Sequence, residues 1–309
     1  MFTRVLAPID THPDAAISLA LAEHIARRTH ANLLLMRVIA EKVSSLDASD
    51  QRDALSRMAD DIEVRGGARP RIAVIPGRPE TAILEVAERE DVDLIVLAPH
   101  ARAGLDALRH RSVTTRLITH TMIPLLIAPE HIGDAWHAAD LLNAATSLVI
   151  VPVDGSALSE RAIGIGRQIA ETWRRPLLLL RAIEPFSLYG AGPETTRLER
   201  RLHEEDAQLT HTAMSSLRAR LARQTDVSVE AMVKRGAPDE VIAHATDSYP
   251  GSLIVMSTHG RGAAQRALLG SVALSVLRRS REPVLILPPV VTMPHAAAPR
   301  ASSRQPVSR

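Results

Sequence analysis

The chain has 309 residues, 46% of them hydrophobic but only 2% aromatic, and no cysteine. At roughly 100–200 residues per domain this suits two domains with aliphatic cores. It excludes disulfides, thiolate chemistry and cysteine-ligated metals, and offers little for stacking single-stranded nucleic acid. The formal charge is +2, yet Arg300, Arg304 and Arg309 stand in an acid-free tail; 37 cationic side chains less these three leave 34 against 35 acidic ones, so the body of the chain implies no nucleic-acid partner.

In chain order, Met1–Ile9 (MFTRVLAPI) is an apolar strand followed by Asp10, and a helical pattern covers Asp14–Arg28. A second strand lies in Ala31–Ile39, a strand and helix in Ala73–Ala87 (AVIPGRPETAILEVA), a strand in Asp93–Arg102 and a last strand in Ile123–Glu130. The same order then recurs. Ser147–Val153 (SLVIVPV) precedes Asp154, a helical pattern covers Leu158–Arg174, and Arg175–Ile183 matches Ala31–Ile39, all 144 residues on. Ala231–Ala245, Ser252–Arg261 and Glu282–Pro289 match the remaining segments at an offset of 159, so the second copy carries 15 extra residues between Glu184 and Val227. Short apolar runs bounded by Pro, Gly or Asp, alternating with amphipathic stretches, predict parallel strands with helices on both faces.

The expected fold is α/β: two tandem, doubly wound, parallel five-stranded sheets of the Rossmann-like kind. The predicted boundaries are a first domain at 1–130, a linker at 131–145, a second domain at 146–290 and a disordered basic tail at 291–309. The start of the chain, MFTRVLAPID, lacks the apolar core of a signal peptide. No run approaches the ~18 apolar residues of a spanning helix. A cytoplasmic, soluble protein with no membrane partner is expected.

Ligands of open parallel sheets bind beyond the carboxyl ends of the strands, where strand order reverses. In the second copy three segments converge there: Pro152-Val153-Asp154, Ala182, and the loop Ser257–Ser271. Gly260 and Gly270 let backbone N–H groups approach an anion without an intervening Cβ. Gly270-Ser271 opens the helix Val272–Arg279, whose start offers free amides and a positive dipole end. Arg261 adds charge. Lys42 and Lys234 are the only lysines, neither in a G-x-x-x-x-G-K-[ST] context, so a Walker-type loop is excluded.

This loop resembles the G-x2-G-x9-G-[ST] pattern of the ATP-binding universal stress proteins, with Ser257 at the first glycine and Gly260, Gly270 and Ser271 at the others. Pro152-Val153-Asp154, Gly236-Ala237-Pro238 and the closing P-V-L-I-L are similar to that family too. The resemblance covers residues 1–290 and is to the tandem-domain members, whose fold is adenine nucleotide alpha hydrolase-like. It implies adenosine near Asp154, Ala182 and Met256, and phosphates on Gly260, Gly270, Ser271 and the following Val272, with Mg²⁺ optional. It also implies pairing of domains through their last strands, within one chain or in a homodimer. Ser257 adds a Cβ where ribose or phosphate would pass. In the first copy Ala98, Ala101 and Arg111 replace the three glycines and only Ser112 remains, so that copy is expected not to bind ATP, with Arg111 filling its site.

Plainer roles compete. Asp10 and Asp154 are placed to cap the helices that follow, the stronger reading for Asp10; the glycine loop favours a ligand role for Asp154. Gly164-Ile165-Gly166 lies inside a helix and fits helix–sheet packing. His131-Ile132-Gly133-Asp134 is misplaced for a nucleotidyltransferase motif, and the 13 histidines show no metal-ligand spacing. His259 has no visible catalytic partner, and Glu204-Glu205-Asp206 reads as a solvated helix face. The leading expectation is an ATP-binding stress-response regulator with nucleotide in the second domain and no catalytic or metal residues. The alternatives are a nucleotide-independent dimerisation or partner-binding stress protein, and a weak ATPase.

Overall fold

The computed structural model describes residues 1–11, 15–42, 44–98, 113–129, 147–185, 193–258 and 269–289. The first half runs β1 (Arg4–Pro8), α1 (Ala15–Thr29), β2 (Asn32–Ile39), α2 (Ser45–Val64), β3 (Arg71–Pro76), α3 (Pro79–Arg89), β4 (Leu94–Leu97), α4 (Val113–His120) and β5 (Leu125–Ile127). The second repeats it: β6 (Val149–Pro152), α5 (Ala157–Trp173), β7 (Leu177–Ile183), α6 (Pro193–Ala222), β8 (Val229–Arg235), α7 (Pro238–Ser248), β9 (Leu253–Ser257), α8 (Ser271–Arg279) and β10 (Val284–Leu287). The predicted linker and basic tail, His131-Ile132-Gly133-Asp134 included, lie outside the described residues. No helix among the described residues is long and apolar enough to cross a membrane.

The two halves share one ten-stranded sheet in the order β3-β2-β1-β4-β5-β10-β9-β6-β7-β8. Every neighbouring pair is parallel except β5 with β10, which meet antiparallel at the centre. Leu285 lies opposite Leu126, and Val284 and Ile286 lie opposite Ile127 and Leu125. Within each half the chain starts in the middle of its five strands, winds outward and then returns to the other side, which puts a reversal between β1 and β4 and another between β6 and β9.

The inner strands β4, β5, β6, β9 and β10 read as nearly unbroken apolar runs because both faces are covered. Along β4 and β9, Leu94, Val96, Leu253 and Val255 enter one cluster, whereas Ile95, Leu97, Ile254 and Met256 enter the other. The first cluster is roofed by α1, α2, α5 and α6 through residues such as Leu21, Leu55, Ile163 and Met214. The second is roofed by α3, α4, α7 and α8 through Ile83, Leu117, Ile242 and Val276. On the first face α1 and α5 meet across the central seam, where the His24 and Trp173 rings pack edge-on with centroids 5.7 Å apart.

Local chemistry sets the element ends in both copies alike. Gly77 and Gly236, with φ of +139° and +141°, turn the chain out of β3 and β8, a conformation L side chains rarely adopt. Each donates its N–H back to the neighbouring strand, to Ile39 O (2.9 Å) and Ile183 O (3.0 Å), before a proline opens the next helix. Of the predicted packing pair Gly164 and Gly166, only Gly166 is constrained, since a Cβ there would meet Val151 Cγ2 at 2.5 Å.

The amino ends of the strands differ between the copies. Asp93 ties β4 to β1 by accepting from Thr3 N (2.7 Å), Arg4 N (3.0 Å) and Thr3 Oγ1 (2.7 Å). The matching residue of the second copy, Ser252, is buried with its hydroxyl unbonded. There Glu282, just before β10, accepts from Gly251 N (3.0 Å) while its other carboxyl oxygen has no partner.

Burial, aided by the nearby Asp247 and opposed in part by the Gly251 N–H bond, pushes the Glu282 carboxyl up from 4.5 to about 8, so it is held neutral. Burial and the nearby Arg28, Arg175 and Arg27 push His24 down from 6.5 to about 4. Between pH 4.5 and 8 the folded state binds the Glu282 proton more tightly than the unfolded one, so stability falls as pH rises through that window. His24 acts in the opposite sense, with stability lost as pH falls from 6.5 towards 4. Urea unfolding across pH 4–9 should therefore show losses on both flanks, and Glu282→Gln should remove the alkaline one while leaving the acid one.

Candidate functional site

The reversal between β6 and β9 opens, at the carboxyl ends of the strands, into a cavity of about 660 Å³. Nine of the sequence-predicted residues line it: Pro152, Val153 and Asp154 after β6, Ala182 on β7, Met256 and Ser257 on β9, and Gly270, Ser271 and Val272 where α8 begins. The tenth, Gly260, lies outside the described residues, as do His259 and Arg261. So do Ala101, Arg111 and Ser112 of the first copy, while Ala98 packs partly buried against the core.

Asp154 is held by its own turn. Its Oδ1 accepts from Ser156 N (2.9 Å), and Ser156, not Asp154, is the N-cap of α5, accepting from Ser159 N (3.1 Å). The cap reading of Asp154 is thus corrected: the serine two residues on reaches the helix amides, and the aspartate shapes the turn before it.

The start of α8 is different. Its N-cap is Gly270, at φ −62° and ψ 150°, and no side chain caps it. Gly270 N donates to Thr258 O (2.8 Å), and Thr258 N donates to Leu287 O (3.0 Å), which seats the turn on the ends of β9 and β10. Ser271, Val272 and Ala273 line the cavity, so the amide-bearing, positive end of the helix dipole is turned towards it. Farther along α8, Ser275 Oγ donates to Asp239 Oδ2 on α7 (2.5 Å), and Arg279 lies 3.5 Å from the same oxygen. The Ser275 bond, with Arg279 adding to it, holds the Asp239 carboxyl below its ordinary value. In the first copy the matching contact is the ion pair of Arg116 with Glu80, so each copy fixes its site helix to its neighbour.

Much of the remaining wall is apolar: Val153, Leu180 and Ala182 from the strands, Val241 and Ile242 from α7. Pro238, which has no N–H to offer, lies on the same side. An apolar wall thus adjoins an anion-favouring helix start, the layout of a pocket for a ligand with an apolar body and an anionic end.

Several lining residues escaped the sequence reading. Arg181 sits inside the apolar run LLLLRAI, and its Nη1 donates to Val153 O (3.0 Å). The signal was available, because Arg37 holds the matching place in the first copy. Asp206 and Thr210 come from α6, so the stretch taken as a solvated helix face contributes one carboxylate to the cavity wall. The extra length of the second copy is seen in this helix, which has 30 residues against 20 in α2. Among the described residues no three His, Asp or Glu side chains gather as a metal-binding group.

Comparison with known proteins agrees with this architecture. A universal stress protein of Thermus aquaticus is 30% identical over 141 residues, 45% of this chain and 96% of that protein. A universal stress protein of Mycobacterium tuberculosis is 28% identical over 215 residues, 67% of this chain; the match spans 65% of the relative's length. A solved universal stress protein structure from Archaeoglobus fulgidus superposes with a TM-score of 0.60 at 19% identity, covering 92% of this chain and 98% of that one. A Pseudomonas aeruginosa protein of unknown function gives 0.64 at 18% identity, covering 93% of each. The model of the universal stress protein family matches residues 1–129 and 147–288, and the chain belongs to that family.

Proposed function

We propose that this protein is a nucleotide-binding regulator whose second half holds one ATP per chain. The observation that carries the reading is the start of α8. A helix whose first turn borders a cavity, with glycine in the capping position and no side chain on its amides, offers a ready seat for phosphate. The adjoining apolar wall of Val153, Ala182, Met256 and Ile242 suits the purine, and Asp154, fixed by Ser156 N, is a carboxylate acceptor for ribose or base N–H and O–H donors. A cavity of about 660 Å³ falls within the range of roughly 300–1,000 Å³ usual for small-molecule sites. Ser257, at the mouth of β9, supplies a hydroxyl where ribose or phosphate would pass. The first half, with Ala98, Ala101 and Arg111 in the glycine positions, serves pairing and partner contact rather than nucleotide binding.

Isothermal titration of the purified chain with ATP, with and without Mg²⁺, should give one site per chain; two sites would contradict the role given to the first half. Gly270 has a φ open to any residue, so Gly270→Val should leave the helix start intact and abolish the binding by adding bulk at the phosphate seat.

Asp154→Asn separates the structural from the ligand role of that side chain. The amide oxygen can still accept from Ser156 N, so the melting temperature should stay within error. Losing a charged acceptor should weaken ATP about tenfold. Unchanged affinity would confine Asp154 to the turn.

A further inference from the structure

Helix α6 differs from α2 in a way that bears on the cavity. The register of the two helices is fixed by their buried faces: Met214 and Leu221 stand under α6 where Leu55 and Ile62 stand under α2, all at the offset of 159 that relates β3 to β8. In that register Thr210 corresponds to Gln51 and Asp206 to Asp47.

In the first copy the guanidinium of Arg37 is fully engaged. Its Nε donates to Ile9 O (3.1 Å), Nη2 to Asp10 O (2.9 Å) and Nη1 to Gln51 Oε1 (2.7 Å). The last bond latches α2 onto the ends of β1 and β2, over the spot that in the second copy is the cavity. Arg181 repeats Arg37, gripping the matching carbonyl, Val153 O. Thr210, two atoms shorter in reach than a glutamine, holds the matching place on α6, and both line the open cavity.

Asp47 is likewise used up in the first copy. It sits in the first turn of α2, where its N–H donates to Ser44 Oγ (3.1 Å) and its carboxylate accepts from the Ser44 hydroxyl (2.7 Å). Because α6 starts three turns earlier, Asp206 lies in mid-helix with no start to cap, and it lines the cavity instead. Away from α8, the described lining residues are the carboxylates Asp154, Glu184 and Asp206 with a single guanidinium, that of Arg181.

We propose that α6 governs access to this cavity and its selectivity: Thr210 keeps it open by failing to latch Arg181, and Asp206 makes the nucleoside end reject a second anionic group. The selectivity part rests on the nucleotide reading above; the latch does not. The ligand class is thus a nucleotide phosphorylated at one end only, with free ribose hydroxyls, in preference to one bearing a further 3′-phosphate.

The full chain is titrated with ATP and with adenosine 3′,5′-bisphosphate. Thr210→Gln should weaken ATP by about tenfold or more, as a glutamine there restores the latch. Leu209→Gln, one residue along on a side chain 70% exposed, should bind as the wild type does. Asp206→Asn should narrow the preference for ATP over the bisphosphate by about threefold, the scale of one solvent-exposed charge contact. Full ATP affinity in Thr210→Gln, or an unchanged preference in Asp206→Asn, overturns the proposal. Should the wild type bind neither nucleotide, the nucleotide reading and the selectivity fall together. A crystal structure of Thr210→Gln then decides the latch by itself: the new amide on the Arg181 guanidinium supports it, and an amide turned to solvent refutes it.

Discussion

The antiparallel pairing of β5 with β10 is the constraint on which the rest of the molecule depends. Leu126 faces Leu285, its own counterpart in the repeat, and the residues on either side exchange partners as they would across a two-fold axis. The contact has the self-complementarity of an isologous dimer interface although both strands belong to one chain. Left alone, each five-stranded sheet would end in a short, wholly apolar edge strand, with Leu125, Leu126 and Ile127 on one and Val284, Leu285 and Ile286 on the other. Such edges invite uncontrolled pairing. Joining them removes both and places two strands buried along their whole length at the centre of the sheet.

The same pairing fixes where a ligand can enter. Strands run parallel within each half, and the seam is antiparallel, so the carboxyl ends of one half lie along the same border of the sheet as the amino ends of the other. The cavity of the second half and the corresponding region of the first therefore open on opposite borders. The two regions share a sheet but not an entrance, so one copy could drift in sequence without intruding on the other. What both copies retain is what folding needs: the arginine that grips the carbonyl after the first strand of each half, the glycine with positive φ before α3 and α7, and a polar clamp between the site helix and its neighbour. Differences between them lie just before β4 and β9, in Asp93 against Ser252, and on the helices α2 and α6, in Gln51 against Thr210.

The order of strands and helices was legible because parallel strands buried on both faces appear as apolar runs, with proline, glycine or aspartate marking where they stop. The cavity's strand-end residues followed from the same logic, since the ends of β6, β7 and β9 and the start of α8 must converge at the reversal. The contribution of α6 was not legible. Glu204, Glu205 and Asp206 are adjacent in a charged helix, and which of them meets the cavity depends on how that helix is rotated, which the burial of Met214 and Leu221 decides. Nor could composition separate Asp154 from Ser156 as the cap of α5; both residue types cap well, and only the hydrogen-bond geometry assigns one to the helix and the other to the turn.

The scarcity of lysine acquires a physical meaning at this point. Near α8 the described cavity wall holds no cationic side chain, and what its described residues offer an anion is backbone N–H groups and the helix dipole. Backbone donors do not titrate and lose no side-chain entropy on binding, but their positions are set entirely by the fold. The turn at Gly270 is pinned through Thr258 to Leu287 on β10, and β10 is the strand paired with β5. The seat offered by α8 is therefore coupled through one run of hydrogen bonds to the seam between the two halves. A ligand that tightens that turn must act on the junction of the repeat, and anything that strains the junction is felt at the ligand's anionic end.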